Sequence, residues 1–591
     1  MMEKNNVMNT IQRFLVAVLL MTAALFHTSC EFRDTPVNKL SEESIWSSNL
    51  LLDEYTLSWY RNMNDGFSVY MPTTALIKGL SREYLPWYGD QITVSKTDWY
   101  TTAYGDILKS SIAEITRKGL ILWTKYYTQI QSVNRLLENQ GKIADGDFKN
   151  RVLGEAHFFR AYYYYLLLQR FGGVLIIEKN YDPIRDTMKF PRASFQEMVQ
   201  FINREAEFAV ELLPVKQESA SLGRVTQGAA RMLKAKTYLW ASSSVFQHVE
   251  KNFLGFVDDQ SQAMLSAARA EYEELMKLPY ELMPLSGTTQ EEISESYHQI
   301  FLTKNSGESI LEVQHSDDGN FSTGYGHKLD RDAAPSSCGG TTAAYTPTQN
   351  HVDEYGMVAG AVYDPENPYL NRDYRFYANV VYDGCTFRGQ KMEIHYNKIA
   401  GKEVAAADLS PYGSSVSAAV TKTGYYMRKF INESQKIDND AVYGSSQNYI
   451  IWRYAEAILD YAEVLYRQGH TDLALVEVNK IRDRAKMPRY ESLSWEELVN
   501  ERRVEMAFEE TTYWDMFRWG IAYEKMRGET NPLKAMKIVL EEGKAPVYKI
   551  SNMNKYPKRV REFRTCQYYL PIPWDEVRFQ EIEQNPEWVE Q

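Results

Sequence analysis

The sequence predicts a mainly α protein, built from paired helices and interrupted by one loop-rich segment. Three observations carry this. Apolar residues recur at helical spacing along several stretches, and turn or stop residues join those stretches two by two. Between about 281 and 444 the periodicity gives way to Gly, Ser, Thr and Asp with short alternating runs.

The first helix covers 122–137, where Leu122, Tyr126, Ile130, Val133 and Leu137 recur at helical spacing. After a polar turn at 141–146 a second helix runs over 148–170 and is stopped by Gly172-Gly173. The capping box Ser194-Phe195-Gln196-Glu197 opens a third, which ends at Leu213 before Pro214. Thr226 caps a fourth, 227–243, whose Ala229, Ala230 and Ala235 permit close packing. Residues 262–277 form a fifth. Near the C-terminus, 448–468 and 472–486 pair around Gly469-His470. Ala462, Leu465, Ala474, Val478 and Ile481 there fall near the small and apolar positions of a tetratricopeptide repeat. The capping box Ser494-Trp495-Glu496-Glu497 opens the last helix, expected to run to Trp519.

Within the interruption, 377–382 and 425–431 alternate like short strands, and 315–355 reads as long loops. Loops of that length in a compact protein are functional or disordered. Phe321, Tyr325 and Tyr345 among Gly and Ser suit a binding surface better than a linker.

At 591 residues, 44% apolar and 24% charged, the chain is neither disordered nor, with 32 Gly and 20 Pro, collagen-like. The 66 basic and 78 acidic residues leave a net charge of −12, which argues against nucleic acid as a partner. The unusual figure is aromatic: Trp 12, Tyr 42 and Phe 24.

Residues 1–29 read as a signal peptide. Lys4 and Arg13 precede an apolar run, 14–26, too short to span a bilayer. His27-Thr28-Ser29-Cys30 then looks like a bacterial lipobox, with His27 where Leu is usual, so Cys30 is the expected lipidation site. The other cysteines, Cys338, Cys385 and Cys566, allow at most one internal disulfide and match no zinc spacing. No P-loop, G-x-G-x-x-G, H-E-x-x-H or G-x-S-x-G motif occurs. His157, His315, His327 and His351 match no metal site; Asp317-Asp318-Gly319-Asn320 and Asp330-Arg331-Asp332 lack the spacing of a Ca²⁺ loop. No cofactor, metal or catalytic residue is expected. A glycosidase carboxylate pair stays open on residues alone.

Several strings in order resemble the SusD/RagB family of nutrient-uptake lipoproteins. They are Gly154-Glu155-Ala156-His157-Phe158-Phe159-Arg160-Ala161-Tyr162-Tyr163-Tyr164 with Phe171-Gly172-Gly173, and Gly223-Arg224-Val225-Thr226. Next come Pro347-Thr348-Gln349, Val352-Asp353-Glu354-Tyr355 and Asn371-Arg372-Asp373-Tyr374-Arg375-Phe376. Tyr454-Ala455-Glu456, Tyr461-Ala462-Glu463 and Asn479-Lys480-Ile481-Arg482 follow, then Glu501-Arg502-Arg503-Val504-Glu505 and Asp515-Met516-Phe517-Arg518-Trp519-Gly520. Tyr569-Leu570-Pro571-Ile572-Pro573 and Gln584-Asn585-Pro586 close the series.

The resemblance implies a SusD-like fold over 30–591, with four tetratricopeptide-like helix pairs (about 115–280 and 445–520) and the ligand-binding region 281–444 inserted. It implies a lipoprotein anchored to the outer membrane and facing the cell surface. Such a protein binds an oligosaccharide without turning it over and delivers it to a SusC-like TonB-dependent transporter. A peptide-binding member of the same family is the alternative, ahead of a glycoside hydrolase.

Aromatic rings suit sugars because their flat apolar faces stack on pyranose C–H surfaces, while neighbouring carboxylates and amides fix the hydroxyls. Residues 82–90 with Asp98-Trp99-Tyr100 and Tyr104 have that mixture without helical periodicity. The candidate ligand residues are therefore Trp87, Tyr88, Asp90, Trp99, Tyr100, Tyr325 and Tyr345. Each also has a packing reading. For the consecutive tyrosines 162–165, on a helix flanked by apolar residues, packing is the reading taken. The charges Glu501, Arg502, Arg503, Asp515 and Arg518 read as structural pairs.

Overall fold

The computed structural model describes residues 42–63, 65–67, 85–93, 122–182, 184–316, 326–340, 343–409, 420–437, 444–553 and 561–589. The chain falls into two units, residues 1–52 and 53–591. In the first, the described part is the helix Glu42–Trp46 and the opening residues of the helix Asn49–Tyr60.

In the second unit the expected helices form as α1 (Trp123–Glu138), α2 (Asp147–Phe171), α3 (Phe195–Leu212), α4 (Gln227–Ala241) and α5 (Ser261–Leu275). Their signals act as read. Ser194 and Glu197 cap α3 reciprocally, and the Thr226 hydroxyl accepts from the Ala229 amide. Gly172, at φ 71°, ends α2, and a Cβ on Gly173 would collide with the Ala193 carbonyl, so no larger residue fits that turn. Each helix packs against the next in sequence. After α5 the next place is taken by α6 (Tyr454–Arg467), followed by α7 (Thr471–Arg484), so residues 276–453 leave the stack and return to it.

Helix α2 is apolar almost all round, and it sits in the interior. Tyr162, Tyr163, Tyr164 and Tyr165 are all buried. Tyr163 donates to the Trp59 carbonyl at 2.8 Å, Tyr164 accepts from the Ile177 amide at 2.7 Å, and Tyr165 accepts from Gln169 Nε2 at 3.0 Å. These rings are packing.

Three elements differ from the sequence expectation. Residues 449–453 do not open the helix over 448–468. They form strand Tyr449–Arg453, antiparallel to Ser309–Val313, because the run Tyr-Ile-Ile-Trp is β-branched and aromatic and is buried along nearly all its length. The helix expected over 494–519 is broken into α8 (Trp495–Glu505) and α9 (Thr511–Arg518). At the break Phe508 takes φ 65°, and Lys429 Nζ bonds the Ala507 carbonyl at 2.8 Å, while Arg453 bonds that of Glu505 at 2.8 Å. Buried cations thus take the carbonyls that a continued helix would use. Residues 377–382 begin as the helix Tyr374–Asn379, capped by Asp373, and only Val380–Val381 is strand, pairing with Tyr426–Met427 in the second predicted strand.

The labelled strands are β1 (Ile92–Thr93), β2 (Ser309–Val313), β3 (Thr346–Pro347), β4 (Tyr396–Ile399), β5 (Lys402–Ala405), β6 (Tyr449–Arg453), β7 (Lys534–Leu540) and β8 (Val547–Asn552). One sheet runs β8-β7-β4-β5, with β7 parallel to β4.

Where the insertion rejoins the helices, charge is buried in pairs. Arg453 bonds Glu308, Glu505 and Glu509; Arg484 bonds Glu308 and Glu505; Arg375 bonds Asp373, Glu501 and Glu505. Arg502 holds Asp515 at 2.7 Å and Asp460 at 2.9 Å, and Arg518 holds Glu463 and Asp515. Burial works against the charge on Glu505, yet Arg484, Arg453 and Arg375 hold its carboxyl well below the usual range. Cys338, Cys385 and Cys566 are free thiols.

Candidate ligand-binding face

Two sets of residues that flank segments outside the described residues pack into or beside one apolar core. Phe67, the last described residue before 68–84, packs on His327 (ring centroids 4.6 Å apart), Phe430 and Tyr449. His315 and His327 flank the segment 317–325 with their rings 4.7 Å apart, and His315 Nε2 lies 3.1 Å from Asp65. Ser445, just after 438–443, accepts from the His327 amide at 2.9 Å through its carbonyl.

The second set joins the early segment to the middle of the chain. β1 pairs with β3 antiparallel, Ile92 opposite Pro347 and Thr93 opposite Thr346. The Thr348 amide donates to the Gln91 carbonyl at 3.0 Å, and Gln91 Nε2 donates to the Arg503 carbonyl at 2.9 Å. Phe67, Ile92, Leu329, Tyr345 and Tyr449 all belong to the same core cluster. The chain thus enters or leaves the segments 68–84, 94–121, 317–325 and 438–443 from one packed base.

The electrostatics of this base are those of buried, fixed groups. His327 Nε2 donates to the Gln447 carbonyl at 2.9 Å and Nδ1 accepts from the Leu329 amide at 3.3 Å, which defines a neutral tautomer. Burial, aided by the charge of His315, pushes its pKa down to about 3. Burial opposes the charge on Asp65, but His315 beside it holds the carboxyl below its usual range. Asp330 is pushed up to about 6 by burial, against the pull of Ser445, Asn432 and Gln447, which all donate to it. Its oxygens are thereby occupied. Among the described residues no group of three or more His, Cys, Asp or Glu is placed to hold a metal ion.

The sequence-selected residues divide by position. Trp87 lies in the short turn Leu85–Tyr88. Tyr88 is buried edge-on to Tyr513, ring centroids 6.2 Å apart, with its hydroxyl unpartnered. Asp90 is buried too, 2.6 Å from Arg503 and accepting from Asn531 Nδ2 at 2.7 Å. Against the cost of burial, Arg503 and Arg561 hold its carboxyl far below the usual range. Tyr345 is fully buried, its carbonyl accepting from the Met427 amide at 3.0 Å. Trp99, Tyr100 and Tyr325, like Cys30, lie outside the described residues. Tyr88, Asp90 and Tyr345 are therefore all buried: Tyr88 against Tyr513, Asp90 against Arg503, and Tyr345 in the core that also holds Phe67 and Ile92. His315, His327 and Asp65 were missed as root residues; the available signal was the position of the two histidines around the Gly- and Asp-rich stretch.

Comparison with known proteins places this architecture. The model of the SusD family matches residues 307–588, and a model described as starch-binding associating with outer membrane matches residues 37–239. A SusD-like protein of Bacteroides ovatus is 22% identical over 523 residues, covering 85% of this chain and 82% of the relative. SusD-like protein P38 of Formosa agariphila is 22% identical over 467 residues, 73% of this chain and 78% of its own. Among solved structures, a SusD-like protein from Bacteroides fragilis superposes with a TM-score of 0.70 at 24% identity, over 93% of this chain and 99% of that one. Surface glycan-binding protein A from Bacteroides thetaiotaomicron, in complex with laminarihexaose, gives a TM-score of 0.59 at 17% identity, over 90% and 98%. With the paired helices, the inserted region and both family models in register along it, the chain belongs to the SusD/RagB family.

Proposed function

We propose that this protein is a cell-surface lipoprotein that captures an oligosaccharide and delivers it to a SusC-like TonB-dependent outer-membrane transporter. The observation that carries the reading is the common core shared by residues that flank the candidate binding segments. Ile92, just before the segment that bears Trp99 and Tyr100, and Phe67, which packs on His327 beside the segment that bears Tyr325, lie in the core that also holds Tyr345. In this reading Trp87, Trp99, Tyr100 and Tyr325 offer ring faces to the sugar, and the buried residues keep the loop roots fixed, so less freedom is lost on binding. The starch-binding description of the N-terminal family model and the laminarihexaose complex of a structural neighbour support a glycan as the ligand class. Cys30 supplies the lipid anchor. No helix among the described residues is long and apolar enough to cross a membrane. The protein works by binding, without turnover.

Affinity gels and calorimetry across a polysaccharide and peptide panel test the reading. Binding to at least one glycan is expected, with Trp87→Ala or Trp99→Ala weakening it by about 1–3 kcal/mol, on the scale of ring stacking. Release of reducing sugar by the pure protein would overturn the non-catalytic reading. Purification from membranes with a large barrel transporter is the expected result for the partner; recovery with other proteins alone would count against it.

A further inference from the structure

A groove on the helical scaffold uses none of the loop-root residues and has the make-up of a small-ligand site. It encloses about 330 Å³, within the range of about 300–1,000 Å³ usual for such pockets. Helix α1 contributes Trp123 and Tyr127, the segment 175–190 contributes Tyr181 and Phe190, and α10 (Trp574–Gln580) contributes Phe579. Tyr181 and Phe190 stand near edge-to-face with centroids 4.8 Å apart, and Lys179 Nζ lies 4.9 Å from the Tyr181 centroid. Phe579 is 54% exposed, so its ring is not held by core packing.

The polar groups narrow the ligand class. Asn180 donates to the Glu138 carboxylate from its backbone amide at 2.7 Å and from Nδ2 at 2.9 Å. That leaves Asn180 Oδ1 buried without a partner. A saccharide ring brings an apolar C–H face for the aromatic rings and hydroxyls for the exposed polar groups of the lining, such as Lys179. Phe190 and Gln580 also border an adjoining hollow of about 450 Å³ that contains Lys189 and Arg192, so a longer chain can continue past Phe190.

We propose that this groove is a second saccharide-binding site, on the helical scaffold and independent of the loop-bearing face. The inference rests on the glycan reading of function. The test is calorimetric titration of the full mature protein with laminari-, malto-, xylo- and mannohexaose. The expected result is two binding events for one of these sugars. Phe579→Ala, at an exposed position, should weaken one event by about tenfold, with exposed Lys179→Ala acting on the same event, while Trp99→Ala weakens only the other. A single event, lost in Trp99→Ala and untouched by Phe579→Ala, overturns the second site and leaves the loop-face reading standing. A single event with the opposite pattern keeps the groove and removes the loop face. Binding of none of the four sugars overturns both.

Discussion

The charge cluster around Glu505 and the base of the loops around His327 solve the same problem in opposite ways. Each buries titratable groups completely. Around Glu505 every charge meets an opposite charge, with three arginines on one carboxylate. Around His327 burial works against charge: the imidazole is fixed in an uncharged tautomer, and Asp330 sits among neutral donors with its pKa raised to about 6, while Asp65 keeps its charge beside His315. A paired cluster is held by mutual attraction and breaks when one partner is removed. A neutralised cluster is held by geometry and breaks when pH recharges it. The helical junction should therefore tolerate acid that already disturbs the loop base.

The largest expected effect tests the paired side. Glu505→Gln leaves three buried arginines short of a counter-charge and should cost about 3–5 kcal/mol, read as a lowered urea midpoint. A loss below 1 kcal/mol would mean that the arginines redistribute among Glu308, Glu501 and Glu509, and the contrast with the loop base would weaken.

Next comes the pH response of the loop base. The folded pKa of His327 lies below its unfolded value of about 6.5, so its stabilising contribution is present above pH 6.5 and is lost as pH falls toward about 3. Asp330 acts the other way: with a folded pKa of about 6, its burial destabilises at neutral pH, and that burden eases as pH drops through 6. The Glu505 carboxyl, held below its usual value, contributes stability above about pH 4.3 and loses it only on further acidification. The protection factor of the Leu329 amide, which donates to His327, should therefore fall between pH 6.5 and 4, before those in α8 do. His327→Asn should flatten that response at a magnitude of a few kcal/mol, whereas Asp330→Asn should steepen it. Simultaneous loss of protection in both regions would erase the distinction.

The same two regions differ in how far they could be read from sequence. The helices of the scaffold were legible because their signals are local: a capping box spans four residues, and Gly172-Gly173 needs only its own neighbours. The strand at 449–453 was misread because a short apolar run is ambiguous between helix and strand until its partner, residues 309–313, is known. The break after Glu505 depends on Lys429 and Arg453, which lie far back in the chain. For the candidate site, residue type singled out segments but not which way each side chain faces. Asp90 has the chemistry of a sugar-binding carboxylate, yet Arg503, 413 positions away in sequence, takes it into the interior.

The smallest effect separates the two populations of aromatic residue. Tyr163→Phe keeps the ring inside α2 and removes only the hydroxyl that donates to the Trp59 carbonyl at 2.8 Å. The stability lost should be about 0.5–1.5 kcal/mol, the net value of one buried hydrogen bond, measured by urea unfolding, with glycan affinity unchanged. Trp99→Ala should do the reverse, lowering affinity by about 1–3 kcal/mol with little change in the unfolding midpoint. If Tyr163→Phe altered affinity as strongly as stability, the helical scaffold and the binding face would be energetically coupled, and the rings of α2 would be part of recognition as well as packing.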